Sequence, residues 1–167
     1  MTVEALFRLH ATDVLAYALR RTDAASAEDV VSEVFLVAGR KLDAIPREQT
    51  VLWLYGVARR VLANQRRGER RRVALTGALM LLQRDRVDEP GRGDGVLEAL
   101  AALRPADREA LMLVAWEGLD TSQAAAVLGC SPDAMYVRLH RARSRLQAEL
   151  TRRRDVPVPV GCPEVSP

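Results

Sequence analysis

Residues 118–150 read GLDTSQAAAVLGCSPDAMYVRLHRARSRLQAEL, and the order of caps, breakers and apolar residues in this stretch decides the fold class. Met135, Leu139, Ala142 and Leu146 recur at helical spacing, which makes one buried stripe of an α-helix. Arg138, His140, Arg141, Arg143 and Arg145 are left for its outer face. Upstream, Thr121 reads as the cap of a preceding helix, with Gln123 as its first-turn partner and Ala124, Ala125, Val127 and Leu128 as the apolar face. Gly129 closes that helix. Ser131 then caps the next, with Pro132 at its first position and Asp133 at its second, where an acid suits the helix dipole.

Two helices joined in this way have the spacing of a helix-turn-helix. The second helix of that motif enters the major groove, and the outward residues of its N-terminal half reach base edges. Here those are Asp133, Ala134, Tyr136, Val137, Arg138, His140 and Arg141. Arg143 and Arg145, further along, are expected to meet phosphates, which position a helix without reading sequence. The competing reading is a plain helical hairpin with a basic, solvated face. Met135, Leu139, Leu146 and Cys130 are core under both.

At 167 residues, 49% of them apolar, the chain can bury one core or divide into two small domains. Aromatics are scarce, Ala, Leu, Val and Arg are abundant, and no sustained β alternation is present, so the fold class is all-α. Residues 1–19 carry charges throughout and lack an apolar run long enough for a membrane span or signal peptide, which predicts a cytoplasmic protein without membrane insertion. Cys130 and Cys162, and likewise His10 and His140, stand at no metal-ligand spacing, so neither a metal nor another cofactor is expected.

The net charge of +3 conceals an asymmetry. Residues 59–72 and 138–154 together hold 14 of the 25 Lys and Arg residues but only Glu69 and Glu149 among the 22 acids. Two basic patches therefore sit on an acidic body. Polyanion binders concentrate positive charge in this way, whereas solvated faces mix signs.

Along the chain, residues 3–20 read as a helix with Ala5, Leu6, Leu9, Val14, Leu15 and Leu19 near helical spacing. Ser26 is placed to cap a second helix, with Asp29 at its third position, and that helix ends near Leu42. Residues 43–50 contain Pro46 and form a loop, and residues 51–72 form a long helix that begins apolar and ends RRGERRR. VDEPGRGDG, residues 87–95, is a linker by composition and predicts two domains without a fixed relative orientation. Helices over 96–103 and from Pro105 to about Glu117 follow, the second broken at Gly118. The expected organisation is a domain at 1–75, a flexible linker at 76–95, a helix-turn-helix domain at 96–152 and a flexible tail at 153–167.

These residues resemble a known family. LFRLHATDVLAYALRR, AEDVVSEVFLVAGRKL and WLYGVARRVLANQRRGERR look like region two of the extracytoplasmic-function group of bacterial sigma factors, the sigma-70 family subunits that give RNA polymerase its promoter specificity. LEALAALRPADREALMLVAWEGLDTSQAAAVLGCSPDAMYVRLHRARSRLQAEL looks like region four. The resemblance implies that core RNA polymerase is a partner through its β′ clamp helices and β flap, with Asp29, Glu33 and Arg40 as contacts. It implies that residues 43–50 and the helix through Trp53, Arg59, Arg60, Asn64, Gln65 and Arg67 melt and capture the minus-ten element of promoter DNA. That task needs a basic surface for the backbone and a pocket for an unstacked base. Trp53 is nevertheless expected in the core, since it lies on the apolar side with Leu52, Val57 and Val61. Region four would read the minus-thirty-five element. Such proteins are often held by an anti-sigma factor.

Some positions depart from the group's pattern. Gly39 stands where Trp is usual, and a mid-helix glycine costs up to about 1 kcal/mol against alanine, so a looser helix is expected there. Arg60 replaces a common Asn, Met135 a smaller aliphatic, and Tyr136 with Val137 a frequent Lys-Ser pair. A stand-alone helix-turn-helix regulator would account for residues 121–146 but leaves the other arginine cluster and the acidic helix unexplained. An enzyme is not expected, since no phosphate loop, carboxylate dyad or nucleophile motif is present.

Overall fold

Side-chain caps set where the helices of this chain begin. In the computed structural model, which describes residues 2–76 and 95–154, the order is α1 (Val3–Leu19), α2 (Ala24–Arg40), α3 (Thr50–Thr76), α4 (Gly95–Ala102), α5 (Pro105–Ala115), α6 (Thr121–Leu128) and α7 (Pro132–Arg154). Short 3-10 turns at Leu42–Ala44 and Arg47–Gln49 link α2 to α3. No strand occurs among the described residues. The expected linker and tail fall mostly on residues 77–94 and 155–167, outside the described residues.

Two caps differ from the sequence expectation. Asp23, not Ser26, caps α2: its Oδ1 accepts the Ser26 amide at 3.0 Å and its Oδ2 the Ser26 hydroxyl at 2.8 Å. Asp120, not Thr121, caps α6. Its Oδ1 accepts the Gln123 amide at 2.8 Å while Gln123 Oε1 accepts the Asp120 amide at 3.0 Å, a reciprocal capping box. In both cases a carboxylate one residue before the helix outcompetes a hydroxyl within it, since a charged acceptor binds orphan amides more strongly. Ser131 caps α7 as expected, accepting the Ala134 amide at 3.2 Å. Gly129 closes α6 at φ +69°, where the Cys130 amide reaches back to Ala125 O at 3.1 Å. Asp120→Ala is therefore expected to lower stability by about 1 kcal/mol and Thr121→Ala by well under that, read as shifts of the urea midpoint. Equal losses would return the cap to Thr121.

The helices pack as two units. Helices α1, α2 and α3 enclose Leu6, Val14, Tyr17, Val30, Val34 and Leu54, all fully buried. Phe7 meets Phe35 edge-on at 5.0 Å, and Tyr17 stacks on Tyr55 at 4.9 Å. In the second unit, α7 lays Met135, Leu139 and Ala142 against α4, α5 and α6. Leu146 is partly buried beside them. Arg108 ties α4 to α5 by donating to Ala101 O at 2.7 Å and Leu103 O at 3.2 Å. Helix α2 runs through Gly39 to Arg40, and Val3 packs over that glycine: a Cβ there would stand 3.2 Å from Val3 Cγ2.

The two units touch in this structure. Helix α3 packs against α6, and the buried residues of both units form one continuous apolar cluster. At Gly56 the approach is close, since a Cβ there would lie 3.9 Å from the carbonyl oxygen of Val127. Composition of the linker carries no information about this contact, which is made by residues far from it in sequence.

Candidate nucleic-acid interface

Helix α7 presents most of its expected DNA-reading residues outward. Asp133, Ala134, Tyr136, Val137, His140, Arg141, Arg143 and Arg145 are exposed, while Arg138 is half-buried. A groove of about 560 Å³ runs along this face, lined by Asp133, Ala134, Val137, Arg138, Arg141 and Arg145 from α7 and by Arg104 and Asp107 at the start of α5. Arg104 was not legible as a site residue, because only the fold sets the N-terminus of α5 beside α7. Arg145 has a partner within the chain: its Nη1 donates to the buried Asp107 carboxylate. Its guanidinium thus joins α7 to α5, a task that sequence position alone does not reveal.

The second basic face lies on α3. Arg60, Asn64 and Arg67 are exposed, Arg59 and Gln65 half-buried. Arg67 donates to the Asn64 side-chain oxygen, so these two act as one polar unit. Arg59, Arg60, Asn64 and Arg67 line a groove of about 490 Å³ between the two units, and Arg138 of α7 lines it from the other side. Gln65 is not part of that lining. The fold thereby brings residues of both basic windows to one cleft. Trp53 is half-buried against the core, as expected, and borders an adjoining groove of about 300 Å³ with Leu52, Gly56, Arg59 and Arg60 facing α6.

On α2, Asp29, Glu33 and Arg40 are all exposed, and Leu36, 61% exposed, falls on the same helical stripe between Glu33 and Arg40. A large apolar side chain held out among charges is a contact feature.

The junction of the two units is polar and partly buried. Arg21, at the end of α1, donates through Nε to Glu109 Oε2 at 2.9 Å and through Nη1 to Glu117 Oε1 at 2.8 Å. Its guanidinium lies 3.5 Å from the Tyr17 ring centre. Tyr17 donates its hydroxyl to Glu109 Oε1 at 2.7 Å, and Arg20 Nη1 donates to the second oxygen of Glu117 at 2.6 Å. Burial first, and then the Glu109 carboxylate, push the Tyr17 hydroxyl pKa well up, so it stays a neutral donor. Burial likewise raises Tyr55 to about 12.

Comparison with known proteins matches both units. Residues 6–72 fit the Sigma-70 region 2 family and residues 94–146 the Sigma-70, region 4 family. The ECF RNA polymerase sigma factor SigC of Mycobacterium tuberculosis is 33% identical over 155 residues, covering 88% of this chain and 82% of that protein. SigL of the same species is 34% identical over 156 residues, covering 89% and 88%. Among solved structures, the sigma factor RpoE in complex with the anti-sigma factor NepR from Bartonella quintana superposes with a TM-score of 0.69 at 25% identity, covering 89% of this chain and 96% of that one. CnrH in complex with the cytosolic domain of CnrY gives a TM-score of 0.58 at 25% identity, covering 90% and 88%.

Proposed function

Because the chain belongs to the extracytoplasmic-function RNA polymerase sigma factors of the sigma-70 family, we infer that it binds core RNA polymerase and directs promoter-specific transcription initiation. It is an initiation factor, not a catalyst. The observation that carries this reading is that both family regions match in order and that each contains one of the two arginine-rich helices. A stand-alone regulator would use α6 and α7 alone and leave α2 and α3 without a task.

We assign minus-ten contacts to Arg59, Arg60, Asn64, Gln65 and Arg67 and minus-thirty-five contacts to the outward face of α7. Base edges fall to Asp133, Ala134, Tyr136, Val137, Arg138, His140 and Arg141, and backbone to Arg143. The α2 stripe of Asp29, Glu33, Leu36 and Arg40 would dock on polymerase, an apolar contact ringed by charges that set orientation. The complex of the sigma factor RpoE with the anti-sigma factor NepR supports an anti-sigma partner as well. Among the described residues no helix is long and apolar enough to cross a membrane, and work on polymerase places the protein in the cytoplasm.

Run-off transcription with core polymerase and genomic fragments tests this. Discrete transcripts should need both the chain and polymerase; tight promoter binding by the chain alone, with no effect on polymerase, would favour the stand-alone regulator. Reversing both charges in Asp29→Lys with Glu33→Lys is expected to weaken association with core polymerase roughly tenfold at unchanged helicity. Undiminished co-purification would remove α2 from the docking surface.

A further inference from the structure

The groove between the units gathers more positive charge than the chain neutralises. Its wall takes Arg59, Arg60, Arg66 and Arg67 from α3, Arg21 from the end of α1 and Arg138 from α7, with Glu109 as the one acid of the lining. Glu109 is already engaged, accepting Arg21 Nε at 2.9 Å and the Tyr17 hydroxyl at 2.7 Å. Among the described residues, Arg59, Arg60, Arg66, Arg67 and Arg138 form no ion pair. Arg66 gives one bond, from Nη2 to the Arg21 carbonyl at 3.0 Å, and Arg67 gives one to the Asn64 side chain.

These guanidiniums surround one space of about 490 Å³ and repel one another across it. Their field reaches α5, where burial first, and then Arg66, lower the Arg108 pKa. Helix α5 also begins at this wall. Pro105 and Ala106 line the groove, and no side chain caps the helix, which adds its positive end to the same place.

We propose that this groove is a binding site for a compact oligophosphate, a short chain of phosphoryl groups either free or carried as the tail of a nucleotide. The site goes beyond the sigma-factor reading and does not depend on it. The volume lies within the range of small-ligand sites. Guanidiniums offer paired N–H donors that match phosphate oxygens, and a bound anion offsets their mutual repulsion. Arrangement separates this ligand from nucleic acid. A strand presents one charge per about 3.4 Å of its axis, which a row of arginines matches. Here the arginines converge on one space from separate parts of the fold, and an oligophosphate concentrates its charge within such a space. Arg21, Arg66 and the start of α5 carry no DNA assignment.

Calorimetric titration of the full chain with tripolyphosphate, without divalent cations, tests the site. Wild type should bind one equivalent, and Arg66→Ala combined with Arg138→Ala should weaken binding about tenfold or more. Arg70→Ala combined with Arg71→Ala removes the same charge from exposed positions outside the groove lining and should weaken it less than about threefold. Tripolyphosphate should also raise the melting temperature of wild type and leave that of the Arg66 and Arg138 variant unchanged. If that variant loses helicity, Arg66→Gln alone, at an exposed position, carries the test with a loss of about threefold. ATP bound as tightly as tripolyphosphate would assign the site to a nucleotide tail, and weaker ATP binding to a free oligophosphate; either supports it. Absence of binding, several equivalents bound, or equal losses in the two double variants overturns it. A short single-stranded deoxyoligonucleotide of equal charge that binds more tightly than tripolyphosphate would make the groove a nucleic-acid site and overturn it as well.

Discussion

Leu54→Ala is expected to destabilise the N-terminal unit by about 3 kcal/mol, whereas Leu9→Ala changes stability by less than about 0.5 kcal/mol. Both leucines occupy helices of the same unit, and Leu9 reads as an apolar-face candidate from sequence. Leu54 on α3 is fully buried, while Leu9 on α1 is 70% exposed. Truncating Leu54 loses its transfer free energy and leaves a cavity that three packed helices cannot close; truncating Leu9 opens nothing. For a unit of this size the loss corresponds to a fall in melting temperature of roughly 10 to 20 °C. Thermal melts followed by circular dichroism decide it. A fall under about 3 °C for Leu54→Ala would mean that the α1–α2–α3 core is not packed as described.

The second large effect separates Arg141 from Arg145 on α7. Arg141 is exposed on the groove-facing side, and a bidentate contact to guanine would contribute about 1–3 kcal/mol of discrimination. Arg141→Ala should then reduce run-off transcription on the order of 10- to 100-fold on the matched minus-thirty-five template and much less on a mutated one. Arg145 is engaged with Asp107, whose side chain is only 10% exposed. Removing it leaves a nearly buried carboxylate unpaired, at a cost of about 1–2 kcal/mol, since the half-exposed arginine admits water to the site. Arg145→Ala should lower the melting temperature, weaken both templates alike and leave the salt dependence of binding unchanged. If instead the melting temperature holds and the salt slope falls by about one, Arg145 grips a phosphate. Equal losses on both templates for Arg141→Ala would pass base reading to Arg138, Tyr136 or Asp133.

Much of the candidate interface was legible because it is local. The stripe of Met135, Leu139 and Ala142 is set by helical period, and burying it forces Arg141 and Arg143 outward whatever the rest of the chain does. The turn at Gly129 follows from its left-handed backbone, which glycine alone adopts without strain. Cap identity was less legible: Asp23 and Ser26, or Asp120 and Thr121, are each competent, and the choice depends on which residue takes up extended backbone before the first turn. Leu9, Leu19 and Leu36 sit at apolar positions yet remain exposed, because a helix in a three-helix unit offers one stripe to its neighbours and leaves any further apolar residue outside.

Sequence by itself determined what short-range forces determine: the all-α class, the helix-turn-helix, the two concentrations of arginine and the acidic stripe of α2. Each rests on spacing within a few turns, or on composition. Tertiary structure alone decided how the halves meet, with α3 against α6, Arg21 between Glu109 and Glu117, and Arg145 spent on Asp107. A charged side chain carries no local mark of its partner. In water a pair of exposed charges attracts by only about 1 kcal/mol at contact, so nothing short of the packed and partly buried junction selects which arginine ties the two units, which braces α7 and which is free to meet DNA.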